Sequence, residues 1–77
     1  MTNLTPLQKL GQNIRLLRME RNMSQETLGW EAGISRSYIG KIERGEVNAS
    51  ILLFYQIAEA LDTKPEALVR NTGRSGS

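Results

Sequence analysis

Apolar residues recur every three or four positions in the first part of the chain, which is the spacing of one face of an α-helix. The residues that share this spacing are Leu7, Leu10, Ile14 and Leu17. Thr5 can cap such a helix, Pro6 suits its first position, and Gln8 completes a capping box with Thr5. Asn22 tolerates the left-handed conformation that ends a helix. The pattern therefore predicts a first helix from Pro6 to Arg21.

Two shorter helices are predicted next, because the same capping signals occur twice in succession. Ser24 is a capping residue and Gly33 a helix-ending residue, so a helix of about two turns is expected between them. Ser35 and Gly45 repeat this arrangement around a third helix that ends at Arg44. An apolar pair flanks each cap and can form a hydrophobic staple. The pairs are Met23 with Leu28 and Ile34 with Ile39.

The remaining sequence predicts two further helices and no strand. A fourth helix runs from a cap at Ser50 through Leu61, and a fifth begins at Pro65 and ends by Arg70. No segment alternates apolar and polar residues for long enough to form a strand. We therefore predict an all-α fold, a compact five-helix bundle, with one domain over residues 1–70. Residues 71–77, which contain two Gly and two Ser, are predicted to form a flexible tail.

The composition argues against several classes of function. The 77 residues include no cysteine and no histidine, which leaves no disulfide, no zinc finger and no thiol or imidazole for catalysis. We expect no cofactor and no metal. The longest apolar run, Ile51 to Tyr55, is far shorter than a membrane span of ~20 residues, and the first ten residues do not resemble a signal peptide. The predicted location is cytoplasmic, and the net charge of +2 permits a nucleic-acid partner without requiring one.

Two charged residues fall inside the apolar faces of their helices. With residues about 100° apart, Glu43 lies beside Ile39 on the third helix, and Arg18 lies beside Ile14 and Leu17 on the first. A single charge in such a position more often extends to solvent at the edge of the core. Two opposite charges in matching positions favour a buried ion pair, because an unpaired buried carboxylate would cost several kcal/mol. We predict that Arg18 and Glu43 pair.

The second and third helices have the features of a helix-turn-helix. Gly29 lies inside the second helix, where it costs about 1 kcal/mol relative to Ala, so a close approach of the third helix is expected there. Gly33 supplies the turn. Ile34, Ile39 and Ile42 supply the packing positions of the motif. A generic corner between two helices is the alternative, but it does not require all of these residues together.

Several short motifs combine into a pattern that covers most of the chain, from about Leu10 to Leu68. They are Ile14-Arg15, Leu17-Arg18, Met23-Ser24-Gln25-Glu26, Leu28, Ala32-Gly33-Ile34-Ser35, Ile39, Ile42-Glu43-Arg44-Gly45, Asn48, Ser50 and Ile57-Ala58-Glu59-Ala60-Leu61. Together they resemble the Cro and phage-repressor type helix-turn-helix family, also called Xre-like. The resemblance implies a five-helix bundle, an Arg–Glu pair at Arg18 and Glu43, and a small stand-alone regulator of phage or restriction-modification controller type. The sequence departs from the family pattern at Gly29, Ala49 and Lys64, where Ala, Pro and Ser are usual.

The outward face of the third helix offers polar groups to duplex DNA. Helix-turn-helix docking brings the start of this helix to base edges in the major groove, so Arg36 and Ser37 are predicted base contacts. Lys41, one turn later, and Tyr38, at the margin of the face, are also predicted base contacts. The alternative for Tyr38 is that it packs against the protein or contacts a phosphate. Gly40 is expected on the same outward face.

Contacts to the DNA backbone are predicted beside this helix, at Gln25, Arg44 and Asn48. The family resemblance supports Gln25 most, since the matching position commonly holds the backbone there. One such helix reads only a few base pairs, so we expect a homodimer on a palindromic or pseudo-palindromic operator. The predicted interface residues are Leu52, Leu53, Tyr55, Leu68 and Val69. The alternative is that some of them cover the core.

The sequence favours a sequence-specific double-stranded DNA-binding transcriptional regulator, a repressor or autoregulator, that reads the major groove with helix 36–44. A protein-interaction module such as an antitoxin subunit is the alternative, with the apolar side chain of Trp30 or the leucines holding a partner. Leu52, Leu53 and Trp30 all lie outside the buried arcs of their helices. An enzyme is disfavoured, because Ser37 and Lys41 have the spacing of a Ser–Lys pair but no evident pocket.

Overall fold

The computed structural model describes residues 3–69, which contain five α-helices joined by short connections. They are α1 (Pro6–Glu20), α2 (Gln25–Ala32), α3 (Arg36–Glu43), α4 (Ile51–Ala60) and α5 (Pro65–Val69). These residues contain no strand, so the predicted all-α fold with five helices is confirmed. Three of the predicted helices were one residue too long, because Arg21, Arg44 and Leu61 are C-caps rather than helical residues. Arg70 and the tail predicted at 71–77 lie outside the described residues.

Local capping explains where the helices begin and end. The Thr5 side chain accepts a hydrogen bond from the backbone N–H of Gln8, whose side chain accepts one from Thr5 in return. The serines before α2, α3 and α4 each accept from a backbone N–H three residues later; they are Ser24, Ser35 and Ser50. Gly33 and Gly45 turn the chain after α2 and α3 with φ of 72° and 73°, and Asn22 does so after α1 with φ of 56°.

The core is formed by one aliphatic cluster to which all five helices contribute. Its fully buried side chains are Ile14, Leu28, Ile39, Ile57, Leu61 and Leu68. Helix α1 packs against α3 and α5, α2 packs against α3 and α4, and α4 packs against α5. The side-chain amide of Asn13 on α1 donates a 2.8 Å hydrogen bond to the backbone carbonyl of Leu68 on α5. Helix α3 is therefore held on its inner side by α1 and α2.

Gly11, a residue of α1 with no distinguishing signal in the sequence, allows α1 to pack closely against α3. A Cβ atom on Gly11 would lie 2.5 Å from the carbonyl oxygen of Glu43 and 2.7 Å from its carbonyl carbon. Real Cβ atoms essentially never come so close to a backbone, so the two helices approach one another through the bare face of Gly11. This contact fixes the last turn of α3 against α1.

No helix in residues 3–69 is long and apolar enough to cross a membrane. Within the same range, no group of three or more acidic side chains is arranged to hold a metal ion.

Candidate nucleic-acid interface

The exposed side of α3 results from the way its isoleucines anchor it. Ile39 and Ile42 are buried in the core, whereas Arg36, Ser37 and Lys41 are exposed. Successive residues of a helix are rotated by about 100°, so the two isoleucines share one side and the basic residues lie on the other. Burial of the isoleucine side therefore leaves the basic side open. A helix displayed in this way fits the major groove of B-DNA.

The turn before α3 places the start of that helix at the surface. Gly33 is left-handed, and the N–H of Ile34 donates a 2.8 Å hydrogen bond to the carbonyl of Gly29. A Cβ on Gly29 would overlap the carbonyl oxygen of Ile34, so the predicted close approach occurs, with the turn as the nearest element. Ser35 then caps α3 by accepting a 3.1 Å hydrogen bond from the backbone N–H of Tyr38.

Two further residues of α3 bear on the predicted outward face. Gly40 lies on the Arg44 side of the helix, as the wheel predicts, since a Cβ there would be 3.2 Å from Nη1 of Arg44. It is nevertheless buried, because the side chains of Gln25 and Arg44 lie over it, which a helical wheel does not take into account. Tyr38 is half-buried and packs against the core, which agrees with its expected place at the margin of the exposed face.

Beneath this face, Arg18 and Glu43 form an ion pair, as the helical wheel predicts. Arg18 Nε lies 2.7 Å from Oε2 of Glu43 and its Nη2 lies 3.2 Å from Oε1, so the guanidinium binds both carboxylate oxygens. The same guanidinium donates through Nη1 to the carbonyl of Met23 at 2.8 Å. The side chains are 13% and 3% exposed, so neither charge extends to open solvent. The pair joins α1, α3 and the loop before α2.

Gln25, the predicted backbone contact on α2, belongs to the same network. Its Nε2 donates a 3.1 Å hydrogen bond to Oε1 of Glu43, and its side chain is half-buried. An amide nitrogen has two hydrogens, so one donor remains for another acceptor. Glu43 therefore orients Gln25 at the first turn of α2.

The other two predicted backbone contacts lie beyond the end of α3. Asn48 is exposed in the connection to α4. Arg44 is 59% exposed and is bound by Glu46, whose carboxylate accepts from Arg44 Nε at 2.8 Å and from Nη2 at 3.3 Å. The hydrogen bond to Glu46 raises the pKa of the Arg44 guanidinium, and the same hydrogen bond lowers the pKa of the Glu46 carboxyl. Glu46 is not predicted from helical periodicity, because that pattern does not extend past the cap of α3.

The predicted dimer residues do not all reach the surface. Leu68 is 1% exposed and is part of the core, so its assignment to an interface was wrong; a helix of five residues has too few positions for periodicity to reveal its buried side. Leu53 is half-buried against the same core, which also corrects its placement outside the buried arc. Leu52 and Tyr55 are 67% and 57% exposed, and Val69 is exposed as well.

Four other large apolar side chains are exposed in the described part of the chain: Leu16 and Met19 on α1, Trp30 on α2 and Ile51 on α4. Ile51 is 74% exposed at the start of α4, next to Leu52, and was not among the predicted interface residues. Trp30 is 86% exposed on α2 and borders an open groove of about 550 Å³. The groove is also lined by Glu26, Gly29, Gly33, Ile34, Ser35 and Arg36.

Sequence and structure comparisons agree with this geometry. Residues 14–68 match a helix-turn-helix family model, HTH_3. The chain is 42% identical over 60 residues to the control protein C.BamHI of Bacillus amyloliquefaciens, covering 77% of this chain and 74% of that protein. It is 38% identical over 64 residues to the control protein C.SmaI of Serratia marcescens, covering 83% and 76% respectively.

Among solved structures, the restriction-modification controller protein C.AhdI of Aeromonas hydrophila superposes with a TM-score of 0.80 at 45% identity. The match covers 80% of this chain and 94% of that one. The family model spans the whole of the motif, from the second half of α1 to Leu68 of α5, including the ion pair and the exposed side of α3. The chain therefore belongs to the helix-turn-helix family of DNA-binding transcriptional regulators.

Proposed function

We propose that this chain regulates transcription by inserting α3 into the major groove of a specific operator, as a repressor or autoregulator. The observation that carries the proposal is the exposed row of Arg36, Ser37 and Lys41 over a buried isoleucine side. The similarity to named control proteins supports a role of restriction-modification controller type. It favours a regulator over an antitoxin subunit. We propose that the chain acts on DNA in the cytoplasm, the location predicted from the sequence.

The chemistry of the exposed row suits direct readout of bases. The Arg36 guanidinium can donate two hydrogen bonds to the O6 and N7 acceptors of guanine. The Ser37 hydroxyl can donate or accept, and the Lys41 ammonium can donate one turn further along the groove. Arg36 and Ser37 occupy the first two positions of α3, which is the end that meets the bases in helix-turn-helix docking.

Gln25, Arg44 and Asn48 are proposed to hold the DNA backbone on either side of α3. Gln25 is fixed by Glu43 at the start of α2, and Arg44 and Asn48 follow the end of α3. Contacts of this kind fix the register of the protein on the duplex without reading sequence.

Binding selection from random duplexes at a stated salt concentration, followed by titration of variants, tests this assignment. Arg36→Ala should cost about 1–3 kcal/mol on the selected operator and relax its sequence preference. Arg44→Ala should weaken binding to all duplexes similarly and flatten the salt dependence. Lys64→Ala, which removes a cation from the α4–α5 connection, is the matched control and should do neither. Equal losses on operator and random DNA for both Arg36→Ala and Arg44→Ala would contradict the assignment.

We further propose a homodimer that reads two half-sites about 34–36 Å apart, with Leu52, Tyr55 and Val69 at its interface. The exposed apolar surface of α4, which also includes Ile51, supports this choice. Analytical ultracentrifugation should give a dimer for the wild-type chain and a monomer for Leu52→Glu. Trp30→Glu changes an exposed apolar residue on a different helix and should remain dimeric. A wild-type monomer, or a monomer only for Trp30→Glu, would exclude this interface.

A further inference from the structure

The structure points to a role for Glu46 that lies outside the predicted DNA contacts. We infer that Glu46 competes with DNA phosphate for the Arg44 guanidinium, so that this carboxylate limits the affinity of the chain for DNA. The inference rests on the function proposed above, and in particular on Arg44 as a backbone contact.

The two side chains are paired in the geometry that a phosphate would use. Arg44 donates from Nε to Oε2 of Glu46 at 2.8 Å and from Nη2 to Oε1 at 3.3 Å. A planar guanidinium binds carboxylate and phosphate oxygens in the same two-point manner. The same N–H groups cannot serve both anions in this way at once. A phosphate can therefore bind the Nε and Nη2 edge of the Arg44 guanidinium only if Glu46 is displaced from it.

The backbone fixes Glu46 near the basic side of α3. Gly45 reverses the chain with φ of 73°, and the N–H of Glu46 donates a 2.9 Å hydrogen bond to the carbonyl of Lys41. This turn places the Glu46 carboxylate beside the C-terminal end of α3, next to Arg44. The hydrogen bond from Arg44, with weaker electrostatic effects of Arg44 and Lys41, holds the pKa of Glu46 below its ordinary value. The group is negatively charged at neutral pH, where DNA would be bound.

Because both side chains of the pair are exposed, displacing Glu46 from Arg44 should lower the affinity for DNA measurably without preventing binding. The Arg44 and Glu46 side chains are 59% and 51% exposed, and exposed ion pairs of this kind contribute little to stability. Opening the pair should correspond to about a two- to fivefold change in affinity per subunit. A carboxylate left beside a bound phosphate adds repulsion of like charges. The opposite possibility is that Glu46 orients Arg44 toward the phosphate, in which case its removal would weaken binding.

A double-mutant cycle on DNA binding tests the inference. The probe is a fluorescein-labelled duplex of random sequence, titrated by anisotropy at low salt, about 50 mM, where non-specific binding is strong. The proteins are wild type, Glu46→Gln, Arg44→Ala and the double variant. Glu59→Gln, which removes an exposed carboxylate from α4, is the control for the change in net charge. Thermal melts of each variant confirm that the proteins compared are folded.

If Glu46 competes with DNA, Glu46→Gln should bind the duplex about two- to fivefold more tightly per subunit than wild type, a larger gain than that of Glu59→Gln. The gain in affinity should shrink as the salt concentration rises. The gain should disappear when Arg44 is already Ala. An equal gain from Glu46→Gln in the Arg44→Ala background would mean that Glu46 simply repels DNA, which overturns the inference. No gain, or a loss, for Glu46→Gln in the wild-type background would mean that Glu46 does not compete with DNA, which overturns it as well. If the wild-type protein and the control bound no duplex at all, the proposed function itself would fail.

Discussion

Removing Arg18 should destabilise the fold far more than removing another arginine from the same helix. In Arg18→Ala the buried Glu43 carboxylate loses both hydrogen bonds from the guanidinium and keeps only the 3.1 Å bond from Gln25. The carbonyl of Met23 loses its 2.8 Å donor as well. Breaking a buried pair in this way costs about 3–5 kcal/mol, because the remaining charge is stranded away from water.

That cost is large compared with the whole stability of so small a domain. At about 0.05–0.15 kcal/mol per residue, a chain of 77 residues has roughly 4–12 kcal/mol in total. A loss of about 3 kcal/mol corresponds to a fall in Tm of at least about 12 °C for a domain of this size. Removing the other partner, in Glu43→Ala, should lower the Tm less than Arg18→Ala does. The Arg18 side chain is 13% exposed and can reach water more easily than that of Glu43, which is 3% exposed.

The double variant Arg18→Met/Glu43→Leu separates charge from packing. It strands no charge, but it still leaves the Met23 carbonyl and the Gln25 amide without their present partners. We expect it to lose about 1–3 kcal/mol, less than Arg18→Ala, despite carrying one more substitution.

Circular dichroism melts and urea titrations of these variants measure the differences directly. Arg15→Ala is the matched control, because Arg15 is exposed on α1 and its removal should change stability by no more than about 0.5 kcal/mol. A buried ion pair at this position is refuted if Arg18→Ala melts within a few degrees of Arg15→Ala, or if the double variant is less stable than Arg18→Ala.

Two further outcomes follow from the same structure. Gly11→Ala should cost about 1–3 kcal/mol in urea titrations, because its Cβ would meet the backbone of α3. Gly40→Ala, in contrast, meets only side-chain atoms and gains about 1 kcal/mol of helix propensity, so it should be neutral or slightly stabilising; equal losses for both would contradict the close contact at Gly11. Arg44 lowers the pKa of Glu46 from its ordinary value of 4.5, so their pair stabilises the fold above that pH and loses this effect as the pH falls through the lower folded value. The difference in Tm between wild type and Glu46→Gln should therefore close on acidification, and a difference that persists at low pH would argue against the pair.

Local signals account for what could be predicted from the sequence. A cap and its partner are three residues apart, so Thr5 and Ser35 identify helix starts without knowledge of the rest of the fold. The Arg18–Glu43 pair was predictable because both charges interrupt otherwise apolar helical faces, and opposite charges there need one another.

Features that depend on packing between elements, or on the path of the chain through a turn, could not be predicted in this way. The burial of Leu68 is set by the docking of α5 against α1 and α4, and the five residues of that helix carry no periodic signal. Gly40 is covered by side chains from two different elements. The pairing of Arg44 with Glu46 depends on the turn at Gly45, which places a carboxylate beside a cation that composition alone would count as free.

The hydrogen bond from Asn13 to the Leu68 carbonyl spans 55 positions of the chain. Contacts of such long range form only after the intervening segment has closed into a loop. During protein synthesis, the first helix therefore cannot complete its packing until residues through Leu68 have left the ribosome. Since α3 packs against that first helix, we expect products that end before Leu68 to hold α3 less firmly than the whole chain does.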